Sequence, residues 1–214
     1  IRRRTAETMS ASWHNVPHVS SFTEVDVTEL RRLHAELRPV AERRGSTLTM
    51  TAFLVKATAL GLVKVPSMNA TLDLDAAEIV LHAAADIGVA VSTEQGLVVP
   101  VVRDAANATV LDIANRLAAA TAAAHSRALD LASMSGSTFT LSNYGPIGGW
   151  FGTSLVRNGE VGVIGFGPAT DKAWVHQGEL AIRSIMVVSA GADHRVVDGE
   201  EIIGFLAEVR RLLE

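Results

Sequence analysis

The sequence DHRVVDG, residues 193–199, lies between two segments whose patterns indicate different secondary structures. The preceding AIRSIMVVSAGA is rich in β-branched residues and predicts a strand, whereas the following EEIIGFLAEVRRLLE has the apolar spacing of a helix. His194 and Asp198 are therefore placed at a strand-to-helix turn. A histidine four residues before an aspartate, beside Gly199, suggests a positioned general base, although such a pair by itself is more often an ordinary structural contact.

Helical and strand patterns are mixed along the chain without a regular βαβ repeat. Residues 50–65 are apolar on almost every face and end before Pro66, which predicts an interior helix with packing partners on both sides. Thr109, with Asp112 three residues later, resembles a capping box at the start of an alanine-rich helix. The segments DIGVAVST and GLVVPVVRD, joined at residues 94–96, predict an antiparallel hairpin. We therefore predict an α+β fold with a mixed, largely antiparallel sheet flanked by helices.

The last third of the chain predicts four strands, STFTLSN, EVGVIGFG, KAWVHQ and ELAIRSIMVVSAG, before a final helix that begins at about Gly199. Two helix ends earlier in the chain also have residue signals. Gly45 is predicted to close the helix that follows Thr28, and Thr49 is predicted to be the N-cap of the interior helix.

The composition limits the class of protein. The 214 residues predict a single domain, 1–214, and the apolar content of 48% predicts an oligomer that buries further apolar surface. No apolar run reaches the roughly 20 residues of a membrane-spanning helix, and no leader peptide opens the chain, so we expect a cytoplasmic protein without a membrane partner. The net charge of −4 and a single short basic run, residues 2–4, which we interpret as a solvated arm, argue against a nucleic-acid partner.

Several kinds of site are disfavoured. The chain has no cysteine, which excludes disulfides, zinc–thiolate sites and a cysteine nucleophile. His14 and His18 are four residues apart, but Pro17 separates them and no third ligand is near, so we predict no metal site. The glycines of NYGPIGGWFG, residues 143–152, lack the Lys-Ser/Thr of a phosphate loop and are predicted to supply turn conformations and close backbone approach.

Ser142 ends the predicted strand STFTLSN immediately before this glycine-rich turn, where its hydroxyl could face a cleft. By itself, a strand-end hydroxyl that bonds locally is the more ordinary interpretation.

Together, STFTLSNYGPIGG and DHRVVDG resemble the catalytic domain of the dihydrolipoamide acyltransferases, the core component of 2-oxoacid dehydrogenase complexes. The runs VPHVSSFTEVDVTEL, TAFLVKATALGLVKVPSMNA and DIGVAVSTEQGLVVPVVRDA are similar to the family's runs in the same order, so the likeness covers nearly the whole chain. The resemblance implies a fold like that of chloramphenicol acetyltransferase and a homotrimer, which can assemble into cores of 24 or 60 subunits. Each active site would lie in a channel between neighbouring subunits. Dihydrolipoamide, on a separate lipoyl domain, would enter from one side and coenzyme A from the other.

By the same resemblance His194 is the general base, Ser142 is the hydroxyl that stabilises the oxyanion, and Asp198 is the aspartate that maintains the site. In such a trimer Ser142 and His194 would come from different subunits. The chemistry suits these residue types, because a thiol with a pKa of about 8.5 is mostly protonated at neutral pH and needs a base to generate the thiolate. The sequence does not assign an interaction partner to the carboxylate of Asp198. An arginine is one possibility, either Arg195 or one in the N-terminal arm. The resemblance assigns no residues to coenzyme A binding.

The chain begins at Ile1, and we expect it to be the C-terminal part of a longer chain with lipoyl and subunit-binding domains. A 2-oxoacid decarboxylase and a dihydrolipoamide dehydrogenase are the implied partners. The motif GPIGG and the serine of TFTLSN favour branched-chain acyl groups slightly over acetyl, with succinyl last. The segment LVRNGEVGVIG departs from the family's Asn-x-Pro-Pro stretch and alters a loop near the expected channel.

Two alternative functions remain. A chloramphenicol-type O-acetyltransferase shares the fold, but its motif typically has a second histidine where this chain has Asp193. The other alternative is a catalytically silent core scaffold, against which the joint presence of His194, Ser142 and Asp198 argues.

Overall fold

The computed structural model describes residues 2–94 and 96–214, with side chains from Thr5 onward. Gln95 of the predicted hairpin connection and the side chains of the basic run 2–4 therefore lie outside the described residues. The helices are α1 (Arg2–Asn15), α2 (Thr28–Arg43), α3 (Met50–Lys64), α4 (Val110–His125) and α5 (Gly199–Leu213). The strands are β1 (His18–Asp26), β2 (Ala70–Asp73), β3 (Glu78–Leu81), β4 (Ile87–Val89), β5 (Val91–Thr93), β6 (Gly96–Val98), β7 (Val101–Val102), β8 (Phe139–Asn143), β9 (Gly162–His176) and β10 (Glu179–Asp193).

A six-stranded sheet organises the domain, with the strand order β1-β10-β9-β8-β4-β7. The pairs β1/β10, β10/β9 and β4/β7 are antiparallel, whereas β8 runs parallel to both β4 and β9. The predicted mixed, largely antiparallel α+β fold is therefore confirmed. Two small hairpins, β2/β3 and β5/β6, stand outside this sheet, and the second of them is the predicted hairpin.

Helix α3 lies in the interior, as its apolar sequence predicts. It packs against both α4 and α5, and α5 in turn lies against β1 and β10. Gly61 permits the close contact between α3 and α5, because a Cβ there would stand 2.9 Å from atoms of both Phe205 and Val209. Phe205 is fully buried and meets Phe139 of β8 edge-on at 5.5 Å between ring centroids. Each such buried aromatic or aliphatic side chain stabilises the fold by about 1.5–3 kcal/mol relative to exposure.

Strand β9 corrects the sequence prediction, which divided it into EVGVIGFG and KAWVHQ. The structure has one continuous strand, Gly162–His176, that contains Pro168. Its pairing with β10 shifts register between Met186 and Val188. Proline is tolerated there because it falls at this irregularity, beyond the last residue that pairs with β8, so no ladder hydrogen bond from its nitrogen is needed.

The helix ends follow the sequence signals with one difference. Thr109 and Asp112 form the predicted capping box of α4, and Gly45 has the left-handed φ of +73° that suits a helix terminus. Thr49 is the N-cap of α3 but makes no side-chain capping bond. Within the described residues, none of these helices has the length and apolarity required to cross a membrane.

Candidate active site

His194 lies on the turn that joins β10 to α5, and its position is fixed by backbone hydrogen bonds. Its N–H donates to the carbonyl of Pro17 at 2.8 Å, and the N–H of Asp193 donates to the carbonyl of Val161 at 2.8 Å. The carbonyl of Asp193 accepts from the N–H groups of Val196 and Val197, both at 3.0 Å, which closes the turn. The histidine side chain is exposed, and it makes no hydrogen bond to another described residue. An imidazole presented in this way is available to a substrate.

Asp198 has a local partner that the sequence prediction left open. Its carboxylate accepts hydrogen bonds from the N–H groups of Glu200, at 3.0 Å, and Glu201, at 3.4 Å, and Glu201 accepts in return from the N–H of Asp198. Asp198 is therefore the N-cap of α5 in a capping box. The suggested pairing with Arg195 is wrong, because Arg195 binds Asp193 instead.

Ser142 lies near the end of β8 and is partly buried. Its hydroxyl makes no hydrogen bond to another described residue, so it does not bond locally as strand-end hydroxyls usually do. Two cavities, of about 700 Å³ and about 530 Å³, are both bordered by Ser142 together with Ala90 and Leu97. Ser142 therefore borders both cavities.

Ser142 and His194 are far apart within one chain. Ser142 lies opposite Gly165 of β9, and Gly165 lies opposite Ser189 of β10. His194 follows Ser189 by five residues along the chain. Two strand spacings of about 4.8 Å and five residues of about 3.4 Å place the two Cα atoms about 20 Å apart. A single chain does not bring the two side chains into contact.

The glycine-rich turn after β8 is shaped by the residues around it. Asn143 accepts a hydrogen bond from the N–H of Gly145 and donates one to the hydroxyl of Thr51 on α3. A Cβ on Gly145 would stand 2.8 Å from the carbonyl oxygen of Gly167, and Gly148 has a φ of +88°. The predicted roles of these glycines, close approach and turn conformation, are confirmed for both positions.

A buried carboxylate lies close to this region, and the sequence analysis did not single it out. Glu160 accepts hydrogen bonds from the hydroxyls of Ser137 and Thr140, both at 2.6 Å, and Arg157 lies 3.4 Å from it. Burial raises the pKa of Glu160, although these neighbours act in the opposite direction. Arg157 and Thr140 border the 530 Å³ cavity with Ser142. In the sequence, the departure of LVRNGEVGVIG from the family pattern drew attention to this loop. It did not indicate that the side chain of Glu160 is buried.

His14 and His18 have separate partners. The ring of His14 bonds the carbonyl of Ser10, whereas Nε2 of His18 accepts the N–H of Val156 at 3.0 Å. Across residues 2–94 and 96–214, no group of three or more candidate side chains is placed to hold a metal ion.

The arrangement of sheet and helices defines the class of fold. A solved chloramphenicol acetyltransferase superposes on 97% of this chain and 94% of its own, with a TM-score of 0.61 and 17% identity. The predicted fold class is confirmed by this likeness. The chain belongs to the family of 2-oxoacid dehydrogenases acyltransferase (catalytic domain), whose model matches residues 1–214.

Relatives named for the transfer of different acyl groups have nearly the same sequence identity to this chain. The lipoamide acyltransferase component of the branched-chain alpha-keto acid dehydrogenase complex of Pseudomonas aeruginosa is 35% identical over 214 residues, which are 100% of this chain and 50% of that protein. The dihydrolipoyllysine-residue succinyltransferase component of the 2-oxoglutarate dehydrogenase complex of Rickettsia bellii is 33% identical over 215 residues, 100% of this chain and 53% of that protein. The chain thus spans about half the length of these curated relatives.

A solved dihydrolipoamide acetyltransferase from Azotobacter vinelandii is 34% identical, with a TM-score of 0.95 over 99% of this chain and 87% of its own. That structure was determined to study the roles of one serine, one histidine and one asparagine in its catalytic mechanism. The two intervals between those three residues equal the intervals from Ser142 to His194 and from His194 to Asp198.

Proposed function

We propose that the chain transfers acyl groups between the thiol of dihydrolipoamide and the thiol of coenzyme A within a 2-oxoacid dehydrogenase complex. Membership of the acyltransferase family over residues 1–214 carries this proposal. It is supported by an exposed imidazole on His194 and by a hydroxyl on Ser142, neither of which is hydrogen-bonded to another described residue.

His194 is the general base. The imidazole accepts the proton of the coenzyme A thiol while the sulfur attacks the carbonyl carbon of the acyl-dihydrolipoamide thioester. A base within hydrogen-bond reach of the transferred proton contributes typically about 10²–10⁴ in rate. The backbone bonds of His194 to Pro17 and of Asp193 to Val161 hold the turn and leave the ring free for this proton transfer.

Ser142 is the donor to the oxyanion. The attack converts the thioester carbonyl into a tetrahedral intermediate with a negatively charged oxygen, and a fixed hydroxyl directed at that oxygen is worth about 2.7–4 kcal/mol in comparable sites. When the intermediate collapses, the bond to the dihydrolipoamide sulfur breaks and that sulfur takes the proton from the imidazolium of His194. The base is thereby regenerated, and the acyl group has moved to coenzyme A.

Asp198 maintains the site through α5. As the N-cap it fixes the first turn of that helix, and so it fixes the end of the segment that carries His194. In the Azotobacter enzyme the residue at the corresponding interval is an asparagine, which is also a good N-cap.

A homotrimer completes the site. The separation of about 20 Å between Ser142 and His194 means that each must work with the other residue from a neighbouring subunit. Apolar side chains exposed on the β9–β10 hairpin, Val175, Leu180 and Ile182, support association, because all three are at least 69% exposed in the single chain. The trimer is in turn the building block of a core of 24 or 60 subunits.

The substrates reach the site from its two sides. The two cavities that Ser142 borders suit the entry of dihydrolipoamide, on a lipoyl domain, from one side and of coenzyme A from the other. A 2-oxoacid decarboxylase supplies the acylated lipoyl group, and a dihydrolipoamide dehydrogenase reoxidises the dithiol. Since the dithiol persists in a reducing compartment, the cytoplasm is the proposed location.

Branched-chain acyl groups are slightly favoured over acetyl, and succinyl is ranked last. The apolar lining near Ser142, which includes Val89, Val91 and Leu117, supports an acyl group without charge.

The experiment is a transfer assay with the purified domain and free dihydrolipoamide. Acetyl-, isobutyryl-, isovaleryl- and succinyl-coenzyme A serve as donors, and chloramphenicol serves as a rival acceptor. His194→Ala should lower turnover by about 10²–10⁴ without loss of assembly, whereas the control Arg38→Gln, at an exposed position on α2, should leave it unchanged. Absence of transfer by a correctly assembled domain would refute the proposal in favour of a scaffold. Acylation of chloramphenicol alone would instead indicate an O-acetyltransferase.

A further inference from the structure

Next to His194 lies an ion pair that the catalytic mechanism does not use. Asp193 is only 2% exposed, and its carboxylate forms an ion pair with the guanidinium of Arg195. Nε of Arg195 donates to Oδ1 at 2.9 Å and Nη2 donates to Oδ2 at 2.6 Å, a bidentate arrangement. The backbone N–H of Arg195 also donates to Oδ1, at 3.0 Å. These bonds raise the pKa of Arg195, so the guanidinium remains charged wherever the enzyme works.

The pair spans the histidine in sequence. Asp193 precedes His194 and Arg195 follows it, so the four hydrogen bonds from Arg195 to the carboxylate of Asp193 close a short ring of chain that includes the histidine. The carbonyl of Asp193 additionally accepts the two N–H groups that close the turn. A buried carboxylate is costly without a partner, and the guanidinium supplies both the charge and the hydrogen bonds that it needs.

We propose that Asp193 and Arg195 are positioning residues for His194. Together they fix the turn that carries the imidazole, and their opposite charges cancel each other beside it. The inference rests on the proposed role of His194 as the base. If either partner were absent, the other would remain as an uncompensated charge one residue from the ring, and it would bias the ring's protonation.

Most of the other charged and titratable groups around the turn have partners of their own. On the side of α1 and β1, His14 bonds the carbonyl of Ser10 and His18 accepts from Val156. Before β9, Glu160 is held by two hydroxyls and lies beside Arg157. At the start of α5 the acidic groups are Asp198 and Glu201, which form the capping box, and Glu200. These groups supply a constant background in the comparisons below, because none of them is altered.

Two single variants with opposite charge effects test the proposal. Arg195→Gln leaves the carboxylate of Asp193 uncompensated, which stabilises the imidazolium and moves the acid limb of the pH–rate profile to higher pH. Asp193→Asn leaves the guanidinium uncompensated and moves that limb to lower pH. Each displacement should be about half a pH unit or more, because a full unit charge is left uncompensated on a residue adjacent to His194. The double variant should return the limb to the wild-type position.

Arg195→Lys separates charge from position. The variant retains the positive charge but loses the planar guanidinium that donates two hydrogen bonds to the carboxylate. Turnover should therefore fall several-fold, while the acid limb of the pH–rate profile stays at the same pH. The control pair is Arg38 with Glu42, which form an exposed bridge on α2. Arg38→Gln and Glu42→Gln make the same changes of net charge and should not move the limb.

The same titration is followed by NMR on histidine-labelled protein, with the His194 signal assigned from its loss in His194→Ala. This readout does not require activity, so it tests the pair even if the proposed transfer reaction is absent. Shifts of the midpoint in the same direction for Asp193→Asn and Arg195→Gln, or no shift in correctly assembled variants, would overturn the inference.

Discussion

Mixed trimers of two inactive variants should recover about a third of wild-type activity. His194→Ala lacks the base, and Ser142→Ala lacks the oxyanion donor. If each site takes its serine from one subunit and its histidine from the next, a site is intact only where the serine comes from the first variant and the histidine from the second. A trimer that contains both variants holds them in a ratio of 2:1 or 1:2, and in either case one of its three sites meets both conditions, so about one site in three is complete.

The magnitude follows from the geometry of a single chain. The Cα atoms of Ser142 and His194 are about 20 Å apart across β8, β9 and β10, whereas catalytic groups must lie within about 3 Å of the atoms they serve. No rotation of two short side chains closes that gap. Each single variant should retain about 1% of activity or less, so the recovered third would exceed the background by about 30-fold.

The assay requires that the two chains assemble together. The variants are coexpressed with different affinity tags, mixed trimers are isolated by two successive purifications, and their composition is verified by mass spectrometry. Transfer to dihydrolipoamide is then compared with that of each pure variant and of the two pure trimers mixed after assembly. Activity no higher than the mean of the two pure variants would show that the site lies within one chain, and the reasoning would be refuted.

Three further predictions concern stability. Gly162→Ala should destabilise the fold by about 1–3 kcal/mol, since the new Cβ would stand 2.5 Å from the ring of Phe139, whereas Gly204→Ala, which meets open space, should not; thermal unfolding of both variants checks this, and equal loss in both would contradict it. Asp198→Ala should cost about 1 kcal/mol in urea unfolding through loss of the N-cap, while Asp198→Asn should cost much less; an equal loss for the two would argue against capping. Because burial raises the pKa of Glu160, its contribution to stability is fully present below the ordinary value of 4.5 and is lost as the pH rises through the higher value in the folded state. Wild type should therefore lose stability relative to Glu160→Gln as the pH rises from 4.5, and a constant difference would contradict this expectation.

Elements with a strong local signal were predictable from the sequence. The capping box of α4, the left-handed glycine after α2 and the start of α5 at Gly199 depend on interactions between residues a few positions apart. Helix α3 was predictable because an apolar pattern on all sides requires burial. The strand β9 was not, since Pro168 normally interrupts a strand and is accommodated only by the irregular pairing with β10.

The candidate site was predictable in part. The motif and its family resemblance identified Ser142, His194 and Asp198 as candidates, but they left the partner of Asp198 open. The pairing of Asp193 with Arg195 had no clear signal, because Arg195 lies in the turn beyond the end of β10, where strand alternation does not apply. The burial of Glu160 had none in the local sequence, since it depends on the hydroxyls that β8 and the preceding loop bring to it.

The sequence by itself determined most of the segments that form helices and strands and the residues that can perform thiol acyl chemistry, because propensity, capping and side-chain chemistry are local properties. The tertiary structure decided which charges pair, which carboxylates are buried and how far apart the two reactive side chains lie. Those properties depend on the strand order β10-β9-β8, which places a whole strand between Ser142 and the strand that leads to His194. Distances across a sheet are set by pairing between segments remote in sequence, so no local pattern specifies them.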